Sequence, residues 1–454
     1  MAPATLAMFS ESLAGHENGN QMNRLLSRNE KERSQIEHSS RKPADRNSDR
    51  PTNASNTIIL VSGKLFQTDN VLPLLFELME GGLISRPHLV CNWKGSYLAL
   101  IDHPTISLAI EHLGGKLSYL SQVPIESSGL IRRLARIFVF ARNLWILRSL
   151  LFRRIILLTS GDTRLTKMLM DFNRRRYGGI RLQLFLETRP PDAMKTINET
   201  LRFRRGVPDR RIIPDCDALI SSYSRADFDE ADIDVTMNDA LPLIHVGYPR
   251  AMPSWNAFLE NVSDSVMERE ISSRCFVFFP LAVLTRVDNV ELDFREVFKT
   301  ILGVLKEFED RFQVVFRYHM TTDQQFVREV IEEAGLQNFA FSNAHPLMLI
   351  QRALFTIVWT SATLAVDAKA MGCPVIEFTR HHPEYFRLTD GQSQQPSVVD
   401  YFIHDDKDEL RRVVAELCQK GSDGPPARAP QKDTRFWCAT SHELARDLAP
   451  LVTG

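Results

Sequence analysis

An α/β protein of two doubly wound domains behind a polar tail is what this sequence predicts. Short apolar runs alternate with amphipathic stretches from residue 56 to residue 420, the pattern of buried parallel strands covered by helices on both faces. A break at Gly247-Tyr248-Pro249 divides the alternation into two sets. The 454 residues suit two domains plus a tail, and a hydrophobic content of 44% is enough for two sizeable cores.

Residues 1–55 are rich in Ser, Asn, Arg, Glu and Lys, poor in aromatics and without periodicity. Such a segment buries too little apolar area to offset its ordering entropy, so a disordered tail is expected. The first domain, 56–248, begins with the apolar run Thr57–Val61, which ends in Ser62-Gly63-Lys64. Gly63 lets the backbone turn sharply above the strand edge and is a candidate for an acceptor-side loop. It is not a dinucleotide fingerprint, because GxGxxG is missing. The expected order continues with a helix over Val71–Glu80, a strand over His88–Cys91, a helix around Ser96–Leu113 and a strand over Lys116–Leu120. A strand at Ile155–Thr159, a helix over Thr163–Arg175 and strands at Arg181–Leu186, Ala218–Ser221 and Leu243–Val246 complete the set.

Leu130–Arg154, LIRRLARIFVFARNLWILRSLLFRR, has the most unusual composition in the chain. On a helix, Leu134, Ile137, Phe138, Ala141, Leu144 and Trp145 share one face, and most of the arginines lie elsewhere. Two readings stay open. The helix covers the sheet while its arginine stems reach back to water, or it lies at a membrane interface, where arginine-flanked apolar helices with an aromatic are typical.

The second domain, 249–420, opens with a strand at Phe276–Pro280, followed by a helix over Phe294–Phe308 with a full apolar stripe. A strand Val314–Phe316 runs into Arg317-Tyr318-His319, and a helix over Asp323–Ala334 follows. Apolar runs at Phe339–Phe341, Phe355–Trp359 and Pro374–Phe378 are separated by helices, the second beginning at the polar elbow Thr360-Ser361-Ala362-Thr363 and stopped by Gly372 and Pro374. Asp406–Gln419 is the last helix, 421–434 a Pro/Gly-rich linker, and 435–454 a terminal helix expected to pack back on the first domain.

The run from Phe355 through TSATLAVDAKAMG to CPVIEF resembles the donor-site segment of bacterial glycosyltransferases of the two-Rossmann-domain (GT-B) type. The closest flavour is that of capsule and surface-polysaccharide transferases and CDP-glycerol glycerophosphotransferases. The similarity spans roughly Phe312–Phe378, is weaker over the rest of the chain and is absent from the tail. It implies two Rossmann-like domains facing across a cleft, with a hydroxyl pair after a strand holding the donor's phosphates. Thr360, Ser361 and Thr363 occupy that place. It also implies that Arg317 and His319 contact the donor phosphate where the family reads R/K-P-H-P, although Tyr318 and Met320 replace both prolines here. A cation and an imidazole suit a leaving pyrophosphate, because negative charge grows there in the transition state.

Asp367, four residues after Thr363, shares its helical face; it is read either as an acceptor for a ribose or sugar hydroxyl or as a surface Asp favoured by the helix dipole. Glu377 either points into the cleft or ends its strand in solvent. Glu187, between an apolar strand and a proline turn, is the candidate general base for an acceptor hydroxyl, with an exposed loop carboxylate as the alternative. Asp69 and His103 are fallback bases. His381, His382 and Glu384 look like a metal cluster, but adjacent histidines do not readily converge on one ion, and no metal site is expected.

The net charge of −1 speaks against a general nucleic-acid binder, and there is no Walker motif, nucleophile elbow or kinase set. No DxD-like pair sits at a suitable strand end, and the E-x7-E pattern of retaining relatives is missing from the donor-side segment Phe312–Phe378. The expectation is therefore an inverting, metal-independent glycosyltransferase without a cofactor, moving a sugar from a nucleotide donor to a glycan or lipid-linked acceptor of the bacterial surface. Alternatives on the same scaffold are a polyol-phosphate transferase, a nucleotide-sugar epimerase and a non-catalytic scaffold in polysaccharide assembly. Six scattered Cys without a CxxC pair, no signal-type apolar segment at the start and no membrane-length apolar run point to a cytoplasmic protein, with contact at the inner face of the plasma membrane through 130–154 as the open alternative.

Overall fold

The computed structural model describes residues 55–61, 65–122, 129–160, 163–205, 210–238, 240–267, 271–273, 275–281, 286–287, 290–291, 294–318, 322–359, 362–380, 389–421 and 436–453. The expected tail up to residue 54 and most of the expected linker lie outside them, as do Gly63, His319, Thr360, Ser361, His381, His382 and Glu384.

In the first lobe the chain runs β1 (Ser55–Val61), α1 (Leu65–Glu80), β2 (Ile84–Cys91), α2 (Lys94–Asp102), α3 (Pro104–His112), β3 (Lys116–Tyr119) and α4 (Gly129–Ile146). It continues through β4 (Ile156–Thr159), α5 (Arg164–Tyr177), β5 (Ile180–Phe185), α6 (Pro191–Arg205), β6 (Arg210–Ile212), β7 (Ala218–Ser221), α7 (Arg225–Glu230), β8 (Asp234–Thr236) and β9 (Leu243–His245). Seven strands pair in the order β3-β2-β1-β4-β5-β7-β9, all parallel, while β6 and β8 form a separate pair. The helix expected around 96–113 is two helices. Pro104 has no N–H to continue a helix, and His103 before it is extended at φ −87°, ψ 110°.

The second lobe runs α8 (Pro253–Met267), β10 (Phe276–Leu281), a small hairpin β11 (Arg286–Val287) and β12 (Val290–Glu291), α9 (Phe294–Lys306), β13 (Gln313–Tyr318), α10 (Gln324–Ala334) and β14 (Phe339–Phe341). Then follow α11 (Pro346–Arg352), β15 (Thr356–Val358), α12 (Thr363–Ala370), β16 (Val375–Thr379), β17 (Tyr401–His404), α13 (Lys407–Lys420) and α14 (Ser441–Thr453). Six strands pair in parallel in the order β14-β13-β10-β15-β16-β17. Counted along the chain this is 3-2-1-4-5-6, the Rossmann order, and the first six strands of the other lobe's sheet follow it too. The protein is thus built of two Rossmann-like domains.

Local chemistry explains the element ends. Asp323 caps α10 by accepting from the N–H groups of Gln325 and Phe326, and Asp406 caps α13 in the same way. The α9 stripe buries Phe294, Val297, Phe298, Ile301, Leu302 and Leu305 against its sheet, each worth about 1.5–3 kcal/mol in removal from water.

The inner faces of the lobes are not separately sealed. One hydrophobic cluster runs from Leu72, Leu75 and Ile106 of the first lobe through Trp255 and Phe258 of α8 to Leu347, Met348 and Val366 of the second. Trp255 stacks on Phe258 at 5.5 Å and meets His345 edge-on at 5.4 Å, so α8, unforeseen in the sequence reading, packs between helices of the two lobes. The crossover at Gly247 is tightly held. Tyr248 N–H donates to the Trp437 carbonyl at 2.7 Å, Ala439 N–H donates to Val246 at 3.0 Å, and α14 then packs Leu444 and Leu448 into the shared cluster.

Candidate functional site

The carboxyl ends of both sheets converge. From the first lobe come Asp69 and Asn70, near the start of the helix after β1, and His103, the N-cap of α3. From the second come Arg317 at the end of β13, His345 at the N-cap of α11 and Asp367 in α12. Tyr248 and Arg250 of the crossover lie between them. Arg250 is buried and donates through Nη1 to Asp367 Oδ2 at 2.5 Å and through Nε to Asn70 Oδ1 at 3.1 Å, with Asp69 Oδ2 3.6 Å from Nη2. Tyr248 donates its hydroxyl to the other oxygen of Asp367. Arg317 donates to the Ala344 carbonyl at 3.1 Å and, across the seam, to His103 Nε2 at 3.1 Å.

Contacts constrain the histidines. A guanidinium only donates, so Arg317 calls on the lone pair of His103 Nε2, while Ile106 N–H approaches Nδ1 at 3.5 Å; with donors facing both ring nitrogens, the doubly protonated form is disfavoured. Burial, and then the positive charge of Arg317, push the His103 pKa down to about 3. His345 uses Nδ1 to accept from Leu347 N–H, which leaves the proton on Nε2, 3.9 Å from Asp69 Oδ1. Burial first, then Arg250, His103 and Arg317, hold His345 far below the ordinary histidine range. Burial raises the Asp69 pKa against the opposing pull of Arg250 and Arg317. Burial alone would lower Arg250, but Asp367 and Asp69 reverse that and keep it charged. The cluster is therefore two guanidiniums facing two carboxyl groups, bridged by neutral imidazoles.

Asp367, expected to face either a ligand or the solvent, does neither: it is fully buried and its two oxygens are taken by Arg250 and Tyr248. Its side chain turns toward the crossover. Glu377 is also fully buried, in the middle of β16 paired with Val358 and Phe402, and accepts from Ser393 Oγ at 2.5 Å. It therefore does not end its strand in solvent. Thr363 is the first residue of α12 and half-buried; the N-cap residue before it, Ala362, has no side-chain oxygen to offer the helix's first N–H groups. Arg250, Tyr248 and His345 were missed as site residues. Their signals were an arginine inside a Gly-x-Pro crossover and a histidine directly before a proline helix start.

Glu187 stands at the carboxyl end of β5, where its Oε1 accepts from Thr188 N–H at 3.0 Å and Arg189 N–H at 3.2 Å, with Arg189 Nη1 at 3.5 Å. It lines a cavity of about 440 Å³ together with Tyr223, Asp227, His245, Tyr248 and Trp437. His245 Nε2 is 3.0 Å from the Ser222 carbonyl, and its ring packs on Trp437 at 5.1 Å. Because Tyr248 borders this cavity and also bonds Asp367, the Glu187 cavity adjoins the buried seam. Among the described residues no cluster of His, Cys, Asp and Glu could hold a metal ion, and no helix is long and apolar enough to cross a membrane.

No protein-family model matches the chain, and no curated protein matches it. Solved structures that resemble it include a UDP-N-acetylglucosamine 2-epimerase, 13% identical over 84% of this chain and 93% of that one, with a TM-score of 0.44. A UGT transferase from Siraitia grosvenorii in complex with UDP is 8% identical over 88% of this chain and all (100%) of that one, at a TM-score of 0.43. A glycosyltransferase from Rickettsia africae is 10% identical over 88% and 94%, at 0.40. The assignment of two Rossmann-like domains rests on the strand orders themselves.

Proposed function

We propose that the protein is an inverting, metal-independent glycosyltransferase that uses a nucleotide-activated sugar and a bacterial surface-glycan acceptor. The observation that carries this reading is the second lobe's topological switch point. Strand order reverses between β10 and β15, and ligands of open α/β sheets bind outside the carboxyl ends at such a point. Thr363 and the N-terminus of α12 follow β15 directly, with Thr360 and Ser361 just before them in sequence. In this reading those hydroxyls and N–H groups hold the donor's phosphates, a placement favoured by the helix dipole. Arg317 and His319 offset charge on the departing nucleotide. Glu187 at the rim of the adjoining cavity takes the proton of the attacking hydroxyl. Asp367 acts indirectly by fixing Arg250 at the seam, and Glu377 by holding Ser393.

A second reading, a nucleotide-sugar epimerase, is favoured by one observation: Asp69, His103 and His345 gather at the same carboxyl edges, and such chemistry needs more acid–base groups than a transferase. Isothermal titration with UDP, CDP and CMP tests the donor site, and product analysis of candidate UDP-sugars separates the two activities. If Ser361 and His319 contact the donor, a folded Ser361→Ala/His319→Ala protein loses nucleotide affinity by tenfold to a hundredfold or more, for about 1.5–3 kcal/mol per charged hydrogen bond. Unchanged nucleotide binding in that variant removes the donor-site assignment.

A further inference from the structure

The sequence left the arginine-rich helix between two readings, and α4 does not bury the face on which its large apolar residues align. Ile137 is 65% exposed, Phe138 75% and Trp145 67%, and Phe152 just beyond the helix is 72% exposed. The helix is held by another side. Asn143 is buried and its side-chain amide clasps Ser121 through both the backbone N–H and the carbonyl, at 2.8 and 3.0 Å. Leu147 and Leu150 then carry the chain into the core. An apolar stripe of this length facing water marks a surface that another phase or molecule covers.

We propose that α4 and Phe152 form the surface by which this protein lies on an anionic lipid bilayer. The charge pattern selects that occupant. Residues 130–154 contain seven arginines and no acidic residue, although the whole chain has a net charge of −1. The positive charge is thus concentrated on the apolar helix. A second copy of the chain is disfavoured, because a two-fold contact through this face would set the same arginines against one another. A bilayer accepts both features: the aromatic and aliphatic side chains enter the boundary of the acyl region, roughly 5–10 Å deep, while the guanidiniums meet lipid phosphates. Trp145 has Arg148 stacked over its ring at 4.0 Å, an amphipathic pair suited to the headgroup layer. This inference stands apart from the donor-site reading, since it needs no nucleotide.

The test is co-sedimentation of the full chain with vesicles of phosphatidylcholine alone and of phosphatidylcholine and phosphatidylglycerol in equal parts, at low and high salt. One variant, Ile137→Ser/Phe138→Ser, removes apolar contact; the other, Arg132→Glu/Arg133→Glu/Arg136→Glu, reverses the charge. All five side chains are exposed, so circular dichroism and elution volume should match the parent protein. The parent is expected to sediment with the mixed vesicles only, less so in high salt, and each variant to lose partitioning by about tenfold or more. Absence of vesicle binding by the parent, equal binding to both vesicle types, or parent-like binding by both variants would overturn the proposal. So would a parent dimer that Ile137→Ser/Phe138→Ser splits without any vesicle binding, because the face would then be an interface between copies.

Discussion

Replacing Asp367 by Asn separates a structural role from a ligand-binding one. Asp367 is fully buried, Arg250 is nearly so, and their 2.5 Å contact joins the second lobe to the crossover. Removing one partner of a buried pair leaves a charge in a poorly solvating interior and costs about 3–5 kcal/mol. Here Asn70 at 3.1 Å and Asp69 at 3.6 Å remain beside the guanidinium, which places Asp367→Asn near the lower end, at about 3 kcal/mol. The assay is urea unfolding followed by tryptophan fluorescence and circular dichroism. Because one apolar cluster spans both lobes, the two signals should move together. The paired change Arg250→Met/Asp367→Leu should cost less than Asp367→Asn alone, since the two charges in closest contact leave together and the remaining carboxyl, Asp69, is one whose charged form burial already disfavours. A loss below about 1 kcal/mol for Asp367→Asn, together with a tenfold or greater drop in nucleotide affinity, would refute the argument and return Asp367 to the ligand site.

His103 makes a pH prediction. Its folded pKa is pushed down to about 3, whereas the unfolded imidazole takes a proton below about 6.5, so its contribution to stability is whole above that value and is lost as pH falls toward 3. His103→Gln should flatten the acid limb of the stability curve by up to about 5 kcal/mol; an unaltered limb would mean the imidazole is solvated. Asp69 works in the opposite sense, its raised pKa contributing stability at low pH that is lost as pH climbs through the folded value. Gly247 has φ +68°, and a Cβ there would sit 2.0 Å from the Trp437 carbonyl oxygen, so Gly247→Ala should displace the C-terminal strap and lower stability by more than about 1 kcal/mol. A neutral effect in urea unfolding would count against that packing. If Glu187 is the base, Glu187→Gln should reduce turnover by about 10²–10⁴-fold with nucleotide affinity unchanged, and a normal rate would remove it from the mechanism.

Much of the architecture was written locally. The runs at Ala218–Ser221 and Phe339–Phe341 are strands with the bounds their composition suggested, and the stripe from Phe294 became α9 because seven apolar positions at helical spacing have only one way to be buried together. Asp323 and Asp406 announced helix starts, since a carboxylate there satisfies N–H groups two and three residues on. What periodicity records is which residues share a face. It does not record what lies opposite. The α4 face is uncovered because the helix is anchored through Asn143, whose partner Ser121 is more than twenty residues away, and the chain enters the core at Leu147 just beyond it. The α12 helix meets Arg250, 117 residues earlier in the chain, through Asp367, and the crossover that carries Arg250 is held by backbone bonds to Trp437 and Ala439. A charged side chain beside an apolar run reads the same in sequence whether water, a ligand or a distant counter-ion solvates it; only the tertiary packing supplies the solvating group, and with it the role of the residue.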